Sequence, residues 1–122
     1  MKTKILLVLL IVIAAGIGLA VIFAKTPQDS VALDAFAQCI RDKTITMYGA
    51  DWCPHCQNEK KAFGDSFRFV PYVECPDDPK RCLAVGIAGF PTWILPDGEK
   101  LEGEQGLKKL SAESGCQLPE SN

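Results

Sequence analysis

One stretch decides the fold of this 122-residue chain: Tyr48-Gly49-Ala50-Asp51-Trp52-Cys53-Pro54-His55-Cys56. The β-branched and aromatic residues 44–48 are typical of a buried strand, and the residues that follow Cys56 are rich in helix formers. Cys53 therefore lies where a strand passes into a helix. Pro54 falls in the first helical turn, where its missing N–H is tolerated. A Cys53 thiolate would face unpaired backbone N–H groups and the positive end of the helix dipole. The pattern predicts a redox pair in which Cys53 is the exposed nucleophile and Cys56 is more buried.

Two cysteines at this spacing can instead belong to a zinc site. Such a site needs two further ligands, and Cys75 and Cys82 are the candidates. Six residues separate these two cysteines, whereas paired zinc ligands are usually spaced by two to four residues. The position of the pair between a strand and a helix also favours redox chemistry. We therefore expect a thiol–disulfide oxidoreductase with no metal and no other cofactor.

Near the N-terminus, residues 5–24 carry no charged or polar side chain. Twenty apolar residues are long enough to span a bilayer as a helix. Because Lys2 and Lys4 precede them, we expect the N-terminus on the cytoplasmic side of the cytoplasmic membrane. The chain after Lys25 then lies on the other side, in the periplasm or on the outer face. The alternative is a cleaved signal peptide, whose apolar core is normally shorter. The predicted division of the chain is an anchor over 1–25, a linker over 26–30 and one folded domain over 31–122.

The residues after Lys25 are acidic and rich in cysteine. They contain ten basic and fifteen acidic residues, so their net charge is −5, compared with −2 for the whole chain. An acidic domain without a basic run is a poor nucleic-acid binder. All six cysteines lie in this part, and cysteines outside the cytoplasm tend to be paired.

Periodicity and turn signals predict an α/β domain in the order α-β-α-β-α-β-β-α, with a four-stranded mixed sheet. The Asp97-Gly98 dipeptide marks a hairpin turn before an edge strand. The predicted helices cover 31–42, 54–66, 80–86 and 107–114, and the predicted strands cover 44–48, 67–74, 93–95 and 100–103.

From about residue 30 to residue 115 the chain resembles the thioredoxin superfamily. The resemblance is based on Trp52-Cys53-Pro54-His55-Cys56 and on Pro91, thirty-five residues after Cys56, in Gly89-Phe90-Pro91-Thr92. In that family the proline is cis and lies against the CxxC pair. The resemblance implies a minimal thioredoxin fold, a catalytic role for Pro54 and Pro91, and a Phe90 backbone that pairs with substrate.

Around this site, the resemblance implies substrate contacts from Trp52, Phe90 and Thr92, whereas Trp93 is expected to pack in the core. The chain also departs from thioredoxin. Met47 occupies the strand position of thioredoxin's buried acid, and there is no room for an additional first strand.

Within the superfamily, the chain looks most similar to the thioredoxin-like domain joined to bacterial and plant vitamin K epoxide reductase homologues. In those proteins a quinone-linked membrane protein reoxidises the domain, which implies a partner of that kind or one like DsbB. The Pro54-His55 pair is also that of DsbA, and His55 can stabilise the Cys53 thiolate as a cation or hydrogen-bond donor. We expect an oxidase of exported proteins. The alternatives are a membrane-tethered reductase or isomerase and a non-catalytic adaptor.

The other four cysteines leave several interpretations. Cys75 and Cys82 flank a short turn, and a structural disulfide is the first expectation; a shuttle pair that relays electrons to Cys53 is the second. A bond between Cys39 and Cys116 follows only by elimination, because these two cysteines remain after the others are assigned. Cys39 lies in an apolar helical stripe and can equally be a buried thiol.

Overall fold

The computed structural model describes residues 27–119 and, nearer the N-terminus, residues 1, 4–6, 8 and 11–12. The predicted membrane anchor over 5–24 lies largely outside these residues, and the anchor and the domain boundaries stay predictions. No helix of the described part is long and apolar enough to cross a membrane.

The described chain follows the predicted order of elements. Its helices are α1 (Pro27–Asp42), α2 (Pro54–Phe63), α3 (Pro79–Ala84) and α4 (Gly106–Ser114), with a 3-10 helix at Gly64–Phe69. Its strands are β1 (Thr46–Gly49), β2 (Tyr72–Glu74), β3 (Thr92–Ile94) and β4 (Lys100–Glu102).

The four strands form one mixed sheet in the order β2-β1-β3-β4. Strand β1 pairs in parallel with β2 and antiparallel with β3, so that Tyr48 lies between Val73 and Thr92. Strand β4 is antiparallel to β3 and forms an edge, as predicted. This architecture fits a thioredoxin-like fold. The central position of β1 places the residues after Gly49, and hence the two cysteines, at the end of the sheet's middle strands.

Successive side chains of the central strands enter two different clusters, as expected for a sheet with packing on both faces. Met47 and Trp93 belong to the larger cluster, whereas Tyr48 and Ile94 belong to or pack against the smaller one. The larger cluster includes the aromatic ring of Phe63, whose centroid lies 6.1 Å from that of Trp93. Trp93 is fully buried, as expected. The helices add these fully buried side chains to the larger cluster: Phe36, Ile40, Cys56 and Leu110.

Several predicted boundaries are wrong by a few residues, and two differ most. Helix α1 begins at Pro27, not at residue 31, since proline is compatible with a first helical turn. The predicted strand 67–74 is a strand only over Tyr72–Glu74, because a 3-10 helix occupies Gly64–Phe69. Contacts with α1 hold that segment: the Ser66 hydroxyl and the Arg68 guanidinium each donate to Asp34 at 2.6 Å.

Candidate active site

Cys53 is the residue that immediately precedes helix α2. Its backbone is extended, with φ −78° and ψ 120°, and Pro54 is the first helical residue. A tight turn brings the chain from β1 to this point, since the Cys53 N–H donates to the Ala50 carbonyl at 3.0 Å. Cys53 therefore occupies the position at the helix N-terminus that the sequence predicts.

Cys53 is the more accessible of the two thiols, but only slightly. Cys53 keeps 6% of its surface exposed and Cys56 none, and both are reduced in this structure. The Cys53 thiol donates to the Phe90 carbonyl oxygen, with 3.7 Å between sulfur and oxygen. The rings of Trp52 and Phe90 meet edge to face beside it, with centroids 6.0 Å apart. The nucleophile is thus less open than the sequence predicts, because the loop that carries Phe90 lies against it.

Cys56 is packed against the end of strand β1. A Cβ on Gly49 would lie 2.8 Å from the Cys56 sulfur, so the approach is possible only because residue 49 has no side chain. Burial, with a smaller contribution from the nearby Cys53, raises the pKa of Cys56 from 9.0 to about 11. At neutral pH Cys56 is therefore a thiol. The position of a glycine directly after a strand and before the CxxC pair is the one sequence signal of this close approach.

The loop before β3 lies against the pair. The Phe90–Pro91 peptide is cis, and Pro91 is buried. Thr92 is also fully buried, and its hydroxyl donates to the Gly89 carbonyl at 2.9 Å. The Thr92 side chain therefore supports the loop, and its contact with substrate stays a prediction. Phe90 and Trp52 remain at the surface of the site.

His55 has a partner that the sequence does not reveal. Its Nδ1 lies 2.9 Å from Oε2 of Glu104, which precedes helix α4, and Asn58 donates to the same oxygen at 3.1 Å. In the part of the chain that the structure describes, the imidazole makes its hydrogen bond with Glu104 and none with Cys53. The hydrogen bond from His55 holds the pKa of the Glu104 carboxyl below its usual value. The negative charge of Glu104 thus opposes the stabilisation of a Cys53 thiolate that the sequence predicts for His55.

Two other carboxylates near the site differ sharply in burial. Asp51 is exposed and pairs with Lys60, and the hydrogen bond from Lys60 is the main reason why the pKa of Asp51 is lowered. Glu59, by contrast, lies in the interior. Its side chain is fully buried, and its Oε1 accepts the backbone N–H groups of Gln105 and Gly106. Burial raises the pKa of Glu59, although those two hydrogen bonds oppose the shift.

An apolar groove of about 300 Å³ adjoins the site. It lies between Phe90, helix α3 and the turn that precedes this helix; its lining residues are Cys75, Pro76, Pro79, Cys82, Leu83, Ile87 and Phe90. Leu83 is 75% exposed and Trp52 is 69% exposed, which is unusual for side chains of this size. Phe90 lines the groove, and its carbonyl oxygen accepts the hydrogen bond of the Cys53 thiol, so one residue contacts both the groove and the reactive sulfur.

The remaining four cysteines form two disulfides. The bond between Cys75 and Cys82, here called the local disulfide, joins the end of β2 to helix α3. The bond between Cys39 and Cys116, here called the long-range disulfide, joins helix α1 to the segment after α4. The sequence leaves open whether these four cysteines are paired. In the structure all four are, Cys75 with Cys82 and Cys39 with Cys116. The two further sulfurs that a zinc site would require are bonded to each other.

A thioredoxin-like sheet with a CxxC pair at a helix N-terminus defines a class of protein, the thioredoxin-like thiol oxidoreductases. No protein-family model matches the chain. Over 97 residues the chain is 38% identical to the thiol-disulfide oxidoreductase LTO1 of Arabidopsis thaliana, and the aligned part covers 72% of this chain. The chain spans about a quarter of the length of that relative, 26%. The similarity supports the interpretation of this chain as a thioredoxin-like oxidoreductase.

Proposed function

We propose that this protein is a membrane-anchored thiol–disulfide oxidoreductase that oxidises cysteines of exported proteins. The observation that carries the proposal is the arrangement of the pair. Cys53 lies immediately before a helix and keeps 6% of its surface exposed, whereas Cys56 in the first turn of that helix is fully buried. This asymmetry matches the two roles of a disulfide exchanger, in which one sulfur meets the substrate and the other resolves the intermediate.

In the oxidising direction a substrate thiolate attacks the Cys53 sulfur of the Cys53–Cys56 disulfide. A mixed disulfide forms, and Cys56 leaves with the electron pair and takes up a proton. A second substrate thiolate then attacks the substrate sulfur of the mixed disulfide, and Cys53 leaves as a thiolate at the helix N-terminus. The substrate has lost two electrons, and the protein holds them as a dithiol. A quinone-linked membrane protein, similar to vitamin K epoxide reductase or DsbB, would accept them and restore the disulfide.

The surface around Cys53 supports a polypeptide substrate. Trp52, Phe90 and Leu83 present apolar surface on the side of the groove, and apolar surface of this kind suits side chains that an unfolded or partly folded chain still exposes. A small polar thiol would gain little from these contacts. We therefore infer that newly exported, incompletely folded proteins are the substrates.

The proposed anchor is the apolar segment 5–24, with Lys2 and Lys4 on the cytoplasmic side. Its described residues support this, since the side chains of Ile5, Leu6 and Val8 are more than half exposed. Protease added to intact spheroplasts should remove the domain and leave the anchor. A domain that resists protease until the membrane is lysed would overturn the orientation.

One observation favours the second candidate, a tethered reductase or isomerase. The carboxylate of Glu104 beside His55 opposes the stabilisation that a histidine cation would give to the Cys53 thiolate, and a less stable thiolate makes the disulfide less oxidising.

The two candidates are separated by the reduction potential of the Cys53–Cys56 pair, measured against glutathione buffers with the full chain. An oxidase should lie nearer to about −120 mV, the value of DsbA, than to about −270 mV, the value of thioredoxin. With a disulfide-bonded model protein, Cys56→Ser should accumulate mixed disulfides through Cys53, and Cys53→Ser should not. A potential near that of thioredoxin would select the reductase.

A further inference from the structure

A cluster of four polar side chains lies beside Cys56, on residues to which the sequence assigned no role. The Tyr72 hydroxyl donates to Oε2 of Glu74, and Oε1 of Glu74 accepts the backbone N–H of Asp51 at 3.0 Å. The Lys60 ammonium lies 2.5 Å from Oδ1 of Asp51 and 3.9 Å from the centroid of the Tyr72 ring. These groups thus join strand β2, the loop before helix α2 and the last turn of that helix at the edge of the active site.

Gly49 shows how near this cluster comes to the buried thiol. A Cβ at Gly49 would lie 2.8 Å from the Cys56 sulfur and 3.3 Å from the Tyr72 hydroxyl oxygen. The sulfur and the hydroxyl therefore border the same small space, which glycine leaves open. Tyr72 is partly buried, and Glu74 beyond it is also partly exposed to solvent. The order from inside to outside is thiol, hydroxyl, carboxylate and water.

Cys56 needs a proton acceptor in this position. Its pKa of about 11, due mainly to burial, keeps it protonated at neutral pH, yet only a thiolate can attack a disulfide. The charged and titratable groups that bear on it are Cys53, which precedes helix α2, Lys60 in that helix and Tyr72 in strand β2. Lys60 favours the thiolate by its charge, but an ammonium cannot accept a proton. Burial and the bond to Glu74 raise the pKa of Tyr72, so its hydroxyl does not ionise alone.

We propose that Glu74, acting through the Tyr72 hydroxyl, accepts the proton that Cys56 loses when Cys56 resolves the mixed disulfide. The proton passes from the Cys56 sulfur to the Tyr72 oxygen, directly or through one water molecule, while the Tyr72 hydroxyl proton passes to Glu74 Oε2. Tyr72 is neutral before and after the transfer. Lys60 stabilises the thiolate during it. Glu74 is a positioning and proton-accepting residue here, and its role rests on the thiol–disulfide exchange proposed above.

Bonds, electrons and protons are then accounted for in both directions of the exchange. The Cys56 thiolate bonds to the Cys53 sulfur, the bond between Cys53 and the substrate sulfur breaks, and the substrate leaves as a thiolate with the electron pair. When the protein acts as an oxidant, Cys56 is the leaving group. The proton then returns to it from Glu74 by the same path.

Ellman's reagent, an aromatic disulfide, separates the two steps in a stopped-flow experiment with the reduced full chain. Attack by Cys53 forms a mixed disulfide and releases one coloured thiolate. Attack by Cys56 on the Cys53 sulfur releases the second thiolate. We expect Glu74→Gln to slow the second phase at pH 7 by about tenfold or more, within the range of general-base effects, and to leave the first phase unchanged. The second phase of this variant should recover as the pH rises, because hydroxide replaces the lost acceptor.

Two further variants complete the test. Tyr72→Phe removes only the hydroxyl and should slow the second phase in the same way. Glu113→Gln removes an exposed carboxylate from helix α4 and should change neither phase. Glutamine retains the oxygen that accepts the Asp51 N–H, and the thermal unfolding of each variant checks the fold. If the second phase is unchanged in both Glu74→Gln and Tyr72→Phe, or if both phases slow equally, the proton path is wrong. If instead Cys53→Ser still releases a coloured thiolate at the rate of the first phase, Cys53 is not the attacking thiol and the proposed exchange itself fails.

Discussion

Replacing Gly49 by alanine tests the packing on which the position of Cys56 depends. The added Cβ would lie 2.8 Å from the Cys56 sulfur and 3.2 Å from the Tyr72 ring, closer than side chains normally approach. Neither neighbour is the loose end of a flexible side chain, since the sulfur is held on helix α2 and Tyr72 belongs to strand β2. Overpacking of this kind costs about 1–3 kcal/mol. Lower entropy of the unfolded chain offsets about 0.4–1 kcal/mol of that cost.

We therefore expect Gly49→Ala to lower the free energy of unfolding by about 1–2 kcal/mol. For a domain of this size the midpoint of thermal unfolding should fall by about 5–15 °C. The displaced Cys56 should also resolve mixed disulfides more slowly, because a shift of one reacting atom by about 1 Å strongly affects an intramolecular attack. Circular dichroism measures the first effect, and the second phase of the reaction with Ellman's reagent measures the other.

Gly89→Ala is the matched control. No atom lies within 4 Å of the position of its Cβ, so this substitution should change the free energy of unfolding by no more than about 0.5 kcal/mol. If Gly49→Ala is as stable as Gly89→Ala and resolves mixed disulfides at the wild-type rate, Cys56 is not held against the end of β1, and the reasoning fails.

Four further variants test separate parts of the molecule. Replacing both cysteines of the long-range disulfide by alanine should lower the free energy of unfolding by about 4.5 kcal/mol, and replacing those of the local disulfide should lower it by about 2.5 kcal/mol. The difference arises because the two bonds close loops with sequence separations of 77 and 7. Urea unfolding that gives the reverse order would contradict this. Glu104→Gln removes the negative charge beside His55 and should therefore raise the reduction potential of the Cys53–Cys56 pair. The shift should be on the order of 10 mV, because the ion pair between His55 and Glu104 is exposed to solvent. Titration with glutathione buffers measures it. The pKa of Glu59 is raised, so the folded state binds the proton of this carboxyl more tightly than the unfolded chain does. The stability that this proton contributes is therefore full below pH 4.5. It is lost as the pH rises through the pKa of Glu59 in the folded state. Glu59→Gln should therefore become more stable relative to the wild type between pH 4.5 and pH 8, and urea unfolding across that range that shows a constant difference would refute the assignment.

The reactive pair and the frame of the sheet were predictable because local patterns determine both. A strand signal followed at once by Cys-Pro-x-Cys places Cys53 at a helix start, and proline at the first turn leaves few alternatives. The strand prediction over 67–74 failed for the opposite reason. Phe67 and Phe69 alternate with polar residues as in a strand, but contacts between Asp34 and the 3-10 helix override the local pattern. Tertiary contacts of this kind leave no trace in a short window of sequence.

The charges around the site were the least predictable feature. Glu59 lies in a polar run of a helix and reads as exposed, yet it is buried and accepts the first N–H groups of helix α4. Glu104 is 49 residues from His55 in sequence and meets it only through the fold. Tyr72 and Glu74 appear as ordinary strand residues, and only the pairing of β2 with β1 brings them to Cys56. The sequence identifies the groups that react, whereas the fold decides the groups that tune them.

The burial of Cys56 separates the two attacks of the exchange. With a pKa of about 11, only about one Cys56 in ten thousand is a thiolate at pH 7, and its sulfur has no exposed surface. Cys56 therefore cannot compete with Cys53 for an external disulfide. Once Cys53 holds the substrate, however, the attack is intramolecular, and effective concentrations of about 10⁵ M or more outweigh the low thiolate fraction. Burial thus delays Cys56 without disabling it, and a proton acceptor beside it shortens that delay. The second sulfur acts only after the first has bound, which limits the lifetime of mixed disulfides and leaves little chance for an outside thiol to intervene.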